Sequence, residues 1–377
     1  MPCKKNTTKP YDPACHIQRI YVHEGCQDLP YTREILERAK HIPTEIIADN
    51  TVPDLQETPY PHNLNAGKHH LLLCRNKGHF FKPCPGTKEY RCCDYQVLNI
   101  GMNCPMDCVY CILQAYLNNP WLSFFVNIDD LLDELELALG STSQFWRIGT
   151  GEFTDSMALD SLTGLSKILV PFMADKKTGV LELKTKSVSI GNLQDLHHGG
   201  RTIVSWSLNS PSIMAREEFR TASLEERLTA AAQCADWGYK LAFHFDPIIY
   251  HDGWQEGYSN TIAKLFASVP ADKIAWISLG ALRYLPALRT IAQARFPRSH
   301  FFHEEFILGL DNKYRYFRGL RVEMYQHILS ELRRHVSSQT CVYFCMESDE
   351  IWQECGFPAG AAKNLPEDLD KAVQSIP

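Results

Sequence analysis

Short apolar runs alternate along this chain with longer segments in which apolar residues recur every three or four positions. The short runs predict buried strands, and the longer periodic segments predict helices with one face on a core. A helix is expected from Ile128, capped by Asn127, to about residue 138. Alternating strands and helices predict an α/β fold with a parallel sheet, whose active site lies at the carboxyl ends of its strands. Further strands are expected at 145–149, 180–185, 202–207, 240–246 and 274–279, and further helices near 158–173, 190–196, 223–237 and 256–268.

The N-terminal part shows the same alternation on a smaller scale. Residues 1–17 are polar and proline-rich, which indicates a loose arm. A strand at 19–22, a helix at 32–40 and a strand at 44–48 follow, and the stretch 50–68 is typical of a linker. We therefore divide the chain into an N-terminal α/β extension with its linker, a Cys-rich segment, a central α/β region and a C-terminal hairpin and helix region, at 1–66, 67–98, 99–300 and 301–377.

Composition narrows the class of protein. The chain has 377 residues, of which 45% are apolar and 22% charged, as in an ordinary globular enzyme. It contains no apolar run of membrane-spanning length, and its start lacks the apolar stretch of a signal peptide, so we expect a cytoplasmic protein without a membrane partner. Fourteen cysteines in a reducing compartment favour metal or cluster ligation. The net charge of −6 argues against a uniformly basic surface but allows a local basic patch.

One segment carries the most specific chemistry. Residues 103–111 read NCPMDCVYC, which places Cys104, Cys108 and Cys111 at CxxxCxxC spacing. Three thiolates so close together can hold three irons of a [4Fe–4S] cube, and the fourth iron is then open to chelate a small molecule. The other interpretations are a structural zinc knuckle or three buried reduced cysteines. Zinc, however, needs four closed ligands, which this spacing does not supply.

Polar residues follow the predicted strands where those strands end. Glycine at such a position lets a ligand approach the backbone, and a nearby carboxylate can bind an ammonium group. The same residues are also compatible with an ordinary strand-to-helix turn capped by Asp155, and the lysines with a solvated loop. The candidate ligand-binding residues on this rim are Gly149, Gly151, Lys184 or Lys186, Ser207 and Asn209.

Cysteines outside the loop suggest two further roles. Cys341 and Cys345 are structural, or one of them lies near the substrate and donates hydrogen. Four others have irregular spacing and form either a second metal site, iron–sulfur or zinc, or ordinary small apolar contacts. These four are Cys74, Cys84, Cys92 and Cys93.

A basic and aromatic run lies near the C-terminal end. Residues 313–321 read KYRYFRGLR. Arginine and lysine can contact phosphates while aromatic rings stack on bases, although such runs also occur as exposed turns.

Taken together, these motifs resemble the radical SAM (S-adenosylmethionine) superfamily and, more narrowly, the spore photoproduct lyase family. The similarity runs from about Arg19 to about Trp352. The matching stretches, in fixed order, are 104–114, the strand end before Thr154-Asp155, Thr185-Lys186, 205–210, 238–243 with 251–258, and the hairpin near Lys313.

The resemblance implies a partial (β/α)6 TIM-like barrel with a [4Fe–4S] cluster on Cys104, Cys108 and Cys111. It implies reductive cleavage of SAM to a 5′-deoxyadenosyl radical, with an electron from an external reductant such as flavodoxin or ferredoxin. In the lyase, that radical abstracts hydrogen from a thymine dimer in DNA that is joined through a methyl carbon. The implied SAM contacts are Thr154, Lys186 and Ser207, and the implied DNA contacts are Lys313, Arg315 and Arg318.

Two positions depart from that family. Glu152 stands where the lyase has a hydrogen-donating cysteine, and Ile112 stands where it has a relay tyrosine, although Tyr110 remains. A different substrate, such as a peptide or small metabolite, is therefore the alternative, and a non-enzymatic iron–sulfur or zinc protein is a third, which would not cleave SAM. The candidate catalytic residues are Tyr110, Glu152, Cys341 and Cys345.

Overall fold

A computed structural model describes residues 11–49, 52, 55, 58–86, 90–141 and 144–375. The helices of this part, α1 to α13, are Pro30–Arg38, Asn63–Gly67, Leu113–Tyr116, Ile128–Gly140, Asp160–Thr163, Ser166–Ala174, Pro211–Glu217, Leu224–Asp236, Trp254–Ser268, Pro286–Arg295, Arg318–Leu332, Asp349–Glu354 and Leu365–Ser375. The strands, β1 to β18, are Arg19–His23, Thr44–Ile47, His70–Cys74, Phe81–Pro83, Gln96–Leu98, Gly101–Met102, Asp107–Cys108, Leu122–Phe125, Trp146–Gly149, Gly179–Thr185, Thr202–Ser207, Glu218–Phe219, Lys240–Ile248, Ile274–Ala281, Arg283–Tyr284, Phe306–Leu308, Tyr314–Tyr316 and Cys341–Phe344.

An eight-stranded sheet forms the centre of the fold, in the order β18-β14-β13-β11-β10-β9-β5-β4. All neighbouring strands in it are parallel except β4 and β5. Every residue of β11 and of β14 is buried, because helices cover one face and side chains fill the other. The order follows the chain, so the sheet curls into the predicted partial TIM-like barrel and brings the carboxyl ends of its strands to one rim.

A second sheet lies on the N-terminal side, in the order β2-β1-β3-β8-β6. Strands β1, β2, β3 and β8 are mutually parallel, and β6 is antiparallel to β8. Because β3 and β8 lie beyond residue 66, this sheet takes strands from three of the ranges into which we divided the chain. Those domain ranges stay a prediction.

The predicted strands agree with the structure to within about two residues at either end, whereas three helix predictions need correction. The helix expected at 158–173 is two helices, because Gly164 adopts φ 63° and the Asp160 carboxylate accepts from the backbone N–H of Ser166 at 2.9 Å. The helix expected at 190–196 is a single 3-10 turn, Gly191–Leu193. Asn127 precedes α4 but does not cap it, because its side chain holds the backbone of Asn76 on a neighbouring loop.

The N-terminal arm and the linker contain more structure than expected. Residues 1–10 lie outside the described part, but Pro13–His16 form a 3-10 helix whose Ala14 is buried. Helix α2 falls within the predicted linker. In the described part of the chain, no helix is long and apolar enough to cross a membrane.

Candidate active site

The segment 103–111, here called the cluster loop, leaves β6 at a left-handed residue. Asn103 has φ 71°, and its side chain donates to the carbonyl of Pro120 at 2.8 Å while it accepts from the N–H of Cys104 at 2.9 Å. Farther along the loop, Cys108 pairs with Glu218 in the short antiparallel sheet of β7 and β12. These bonds fix both ends of the loop against distant parts of the chain.

Buried polar side chains hold the cluster loop from outside. Lys68 donates to the carbonyls of Cys104, at 3.1 Å, and Met106, and its Nζ lies 3.3 Å from Asp107. Arg295 binds both carboxylate oxygens of Asp107 at 2.9 Å. Burial raises the pKa of Asp107, but the charges of Lys68 and Arg295 outweigh it and hold that pKa below its usual value.

Gln114 completes this support from α3. Its amide donates to the carbonyls of Cys108 at 3.1 Å and Val109 at 2.9 Å, and it accepts from Arg295. The sequence did not reveal Lys68 or Arg295, because they lie far along the chain from the cysteines and belong to no local motif.

The three loop cysteines fit the ligands of an iron–sulfur cluster. Burial raises the pKa of the Cys104 thiol to about 12 and that of Cys108 farther, and the charges of the other loop cysteines act in the same direction. This mutual effect places the three sulfurs near one another, and in such a site thiols lose their protons as metal binds. Each thiolate of a [4Fe–4S] cube binds a separate iron, so the set suits a cube with one open iron.

Tyr110 and Lys186 lie beside the loop in a charged, buried group. The hydroxyl of Tyr110 donates to Glu218, which also accepts from Arg227 at 2.5 Å. The ammonium of Lys186 lies 5.9 Å from the centroid of the Tyr110 ring, and its charge acts on both Cys108 and Glu218. Burial and the Glu218 charge raise the pKa of Tyr110 well above its ordinary value, so the phenol stays protonated.

Asp155 positions Lys186. Its carboxylate accepts from the N–H groups of Met157 at 3.0 Å and Ala158 at 2.9 Å, as a turn cap would. It also accepts from the hydroxyl of Thr185 at 2.6 Å and from the N–H of Lys186 at 2.9 Å. Asp155 thereby joins the ends of β9 and β10.

Two adjoining cavities open at the rim of the barrel. The outer cavity, of about 470 Å³, contains Tyr110 and Cys111 in its wall. The inner cavity, of about 140 Å³, is smaller and more enclosed, and its wall contains Ser207 and Cys345. The residues that line both cavities are Cys84, Glu152, Lys184, Asp246, Arg283 and Met346.

Charged pairs line the inner cavity. Lys184 lies 3.0 Å from Glu152, so the carboxylate that replaces the family's cysteine is tied up in an ion pair. Glu182 accepts from Tyr95 at 2.6 Å and lies 2.7 Å from His244. Burial raises the pKa of Glu182, but the charge of His244 outweighs it and lowers that pKa to about 2.

The other predicted cofactor residues differ in their surroundings. A Cβ at Gly149 would lie 1.6 Å from the hydroxyl of Tyr95, so this glycine admits a tyrosine rather than a ligand. A Cβ at Gly151 would lie 3.3 Å from the Cβ of Lys184.

Thr154 is half-buried beside Asp155. The side chain of Asn209, another predicted cofactor residue, is buried and bonds to Pro247, Ser210 and Tyr258. Ser207, of which the backbone carbonyl accepts from Arg227 at 2.8 Å, lines the inner cavity.

The structure does not bring together the four cysteines of the predicted second metal site. Cys74 lies at the end of β3, where Cys26 is its neighbour, whereas the other three lie beside the inner cavity. Within the described ranges, no group of three His, Cys, Asp or Glu side chains is placed to hold a single metal ion. The three remaining cysteines instead join Cys345, and we call the set Cys84, Cys92, Cys93 and Cys345 the thiol pocket. Cys341 lines neither cavity.

The basic-aromatic run forms a hairpin, but its charges do not all face solvent. Arg315, on β17, is buried and binds Asp311 at 2.7 Å, which contradicts a role in direct contact with DNA phosphates. Lys313 lines the outer cavity. Arg318 is exposed and paired with Glu354. The side chains exposed on the hairpin are largely apolar, with Leu310 78% exposed.

The family model described as spore photoproduct lyase matches residues 15–347 of this chain. The chain belongs to the spore photoproduct lyase family. Spore photoproduct lyase from Bacillus subtilis (strain 168) is 24% identical over 332 residues, covering 84% of this chain and 91% of that protein. The protein of the same name from Geobacillus sp. (strain Y412MC61) is 29% identical over 205 residues, covering 53% of this chain and 60% of its own length. Membership in the spore photoproduct lyase family makes this chain a lyase-like radical SAM enzyme.

Solved structures from the spore photoproduct lyase family share the fold. A mutant spore photoproduct lyase with bound AdoMet and dinucleoside spore photoproduct has a TM-score of 0.79 and 21% identity, covering 90% of this chain and all of that one (100%). Spore photoproduct lyase complexed with dinucleoside spore photoproduct has a TM-score of 0.78 and 22% identity, covering 89% of this chain and 100% of its own. At this identity, the likeness establishes the partial barrel.

Proposed function

We propose that this chain repairs a thymine dimer of the spore photoproduct type in DNA by radical SAM chemistry. The observation that carries the proposal is the position of the cluster loop. Its Tyr110 and Cys111 open directly into the outer cavity at the carboxyl ends of the barrel strands. The family's relatives are named for the same reaction, and the matched range includes every residue used here.

Cys104, Cys108 and Cys111 would hold the cluster, and Thr154, Lys186 and Ser207 would contact SAM. When bound, the cluster and SAM supply a 5′-deoxyadenosyl radical, after an external reductant such as flavodoxin or ferredoxin has given one electron. Lys186 is well placed for the methionine carboxylate because it lies beside the loop, with its position set by Asp155.

The outer cavity suits a ligand that has the apolar surface of two bases and a negatively charged phosphate at one edge. Its volume of about 470 Å³ is in the range of small-molecule sites. Tyr116 and Phe153 stack with ring centroids 6.2 Å apart and form an aromatic wall. Lys313 lines this cavity, with its ammonium 3.8 Å from Asp311, and contributes positive charge for a phosphate, whereas the charge of Arg283 is held by Asp246 at 3.1 Å.

DNA would reach this cavity through the hairpin of β16 and β17. Ile307, Leu308 and Leu310 are exposed there to 48%, 56% and 78%. Apolar side chains of this kind unstack bases when a protein wedges into a duplex. This role replaces the contact that we predicted for Arg315 and leaves Lys313, which lines the outer cavity, as the basic residue that the run contributes to the site.

The proposal is tested with anaerobically reconstituted protein, strong reductant, SAM and ultraviolet-irradiated DNA that contains the spore photoproduct. Thymine formation from the dimer would support it, as would DNA affinity that falls with added salt. Abundant 5′-deoxyadenosine with an intact dimer would mean that the radical chemistry works on another substrate.

One observation favours that second function, a radical SAM reaction on a peptide or small metabolite. Glu152 forms an ion pair with Lys184 at the position of the family's hydrogen donor. A carboxyl group is a poor hydrogen-atom donor because its O–H bond is strong. Peptides would be incubated in deuterium oxide with the reconstituted enzyme, reductant and SAM. A product that has gained deuterium, detected by mass spectrometry, would identify such a substrate.

A further inference from the structure

The reaction proposed above leaves an unpaired electron on a carbon of the substrate, and a closed-shell product requires a hydrogen atom. This inference rests on the proposed function. Glu152 does not supply that atom, because its carboxylate is held by Lys184 at 3.0 Å. A thiol is the suitable group, since its S–H bond is weaker than O–H or most C–H bonds. The question is therefore which thiol can reach the substrate.

Cavity geometry separates the cysteines. Cys84 lines the outer cavity and also the inner one, whereas Cys345 lines the inner cavity alone. Among the described residues that line the outer cavity, the other cysteine is Cys111, which we assign to the cluster. Cys341 belongs to neither wall, and its charged neighbours are Asp368 and Arg147.

The surroundings of Cys84 keep it in place and keep its hydrogen. Its backbone N–H donates to the carbonyl of Tyr95 at 2.8 Å, and its carbonyl accepts from Gly86 at 2.7 Å. A hydrogen bond to the sulfur of Cys92, together with burial, raises the pKa of Cys84. The same bond and one from Cys93 lower the pKa of Cys92. Within the pair, Cys84 is therefore the sulfur that keeps its hydrogen, and Cys92 is the one that loses its proton more readily.

We infer that Cys84 is the hydrogen-atom donor of this enzyme and that Cys92 is its positioning residue. The S–H bond of Cys84 breaks homolytically, its hydrogen atom forms the new C–H bond of the product, and one unpaired electron remains on the Cys84 sulfur. That sulfur then shares its unpaired electron with the adjacent Cys92 thiolate in a two-centre bond, with no change in total charge or electron count. A carbon radical is quenched and a sulfur radical is delocalised.

The test is a single turnover in deuterium oxide with dinucleoside spore photoproduct as the substrate. Thiol hydrogens exchange with solvent, so wild-type protein should give thymidine with one deuterium in the methyl group. Cys84→Ala should still form 5′-deoxyadenosine but lose the deuterated product. Cys341→Ala, which lines neither cavity, is the matched control and should behave as wild type.

A second measurement does not depend on the loaded enzyme. In the full chain without cluster or SAM, saturating dinucleoside should slow hydroxyl-radical labelling of Cys84, which reports on neutral thiols as well as thiolates, and leave the labelling of Cys341 unchanged, as read by peptide mass spectrometry. Unchanged labelling of Cys84 would overturn the inference, as would a Cys84→Ala variant that retains full deuterium incorporation. In the latter case the repair reaction itself would stand. A wild-type chain that forms 5′-deoxyadenosine but no thymidine would remove the repair function and the donor together.

Discussion

The cluster loop and the thiol pocket each present a cysteine, Cys111 and Cys84, to the outer cavity, but the two are held in opposite ways. In the cluster loop, side chains of Lys68 and Gln114 bind backbone carbonyls around the cysteines. In the thiol pocket, the cysteine side chains hydrogen-bond to one another, as Cys92 does with Cys84 and Cys93. A fixed backbone suits sulfurs that must bind a metal, whereas thiols that are hydrogen-bonded to one another suit hydrogen transfer.

The largest effect is expected from Cys108→Ala. One of three ligands is then missing, so bound iron should fall from about four per chain to near zero and SAM cleavage should be lost. Iron analysis, visible absorption and 5′-deoxyadenosine assay would measure this. Cys341→Ala, which lies outside both cavities, should retain iron. Retained SAM cleavage in Cys108→Ala would refute the ligand assignment.

Arg295→Ala should destabilise the apoprotein by about 3 kcal/mol, because it breaks a buried ion pair with Asp107 and removes the partner of Gln114. Denaturant unfolding would measure the change. Arg318→Ala, which removes an exposed pair with Glu354, is the control and should change little. Equal effects of the two substitutions would mean that the loop is not fixed by its buried network.

The inner cavity should make the fold acid-sensitive through Glu182. Its pKa falls from 4.5 to about 2 on folding, so it contributes stability above about pH 4 that is lost as the pH falls toward 2. That shift corresponds to about 3 kcal/mol. Unfolding measured at about pH 6 and about pH 2 should show the gap between wild type and Glu182→Gln shrinking by about that amount. A gap that does not change with pH would contradict the lowered pKa.

The smallest effect is expected from Asp349→Ala. Arg91, next to Cys92 in the chain, binds both carboxylate oxygens of Asp349 at 2.7 and 2.8 Å, but both side chains are partly exposed. The free energy of unfolding should hardly change. Iodoacetamide labelling of Cys92 should rise slightly, because the segment that contains it loses the ion pair of Arg91. Glu354→Ala, which removes a similar pair elsewhere, should leave that labelling unaltered. A large loss of stability would mean that this surface pair supports the thiol pocket more strongly than its exposure suggests.

The sequence predicted the barrel well because its strands are buried on both faces and read as apolar runs. Strands β10, β11, β13 and β14 begin and end within about two residues of their predicted positions. Strands β3, β8 and β18 were not predicted, because they lie in stretches rich in turn residues or beside the cluster loop. The split at Gly164 depends on a positive φ that no periodicity reveals.

The site was predictable where its chemistry is local. The spacing of Cys104, Cys108 and Cys111 predicts them as cluster ligands, and the family resemblance implies Lys186 as a SAM contact. Glu218 and Arg295 were missed because their importance arises from contacts across more than one hundred residues of chain, namely 108 residues from Tyr110 to Glu218. Cys84 was predicted as part of a second metal site with Cys74. The sequence alone does not show that Cys84 lies apart from Cys74 and lines the two cavities.

The antiparallel pairing of Cys108 with Glu218 has a consequence for biosynthesis. A ribosome must add 110 residues after Cys108 before β12 exists, and Arg295 emerges later still. Until then, the loop cysteines lack the support that shapes them, so iron insertion should follow synthesis of the barrel. Stalled nascent chains that end before and after residue 295 would test this timing, and equal protection of Cys108 from alkylation in both would refute it.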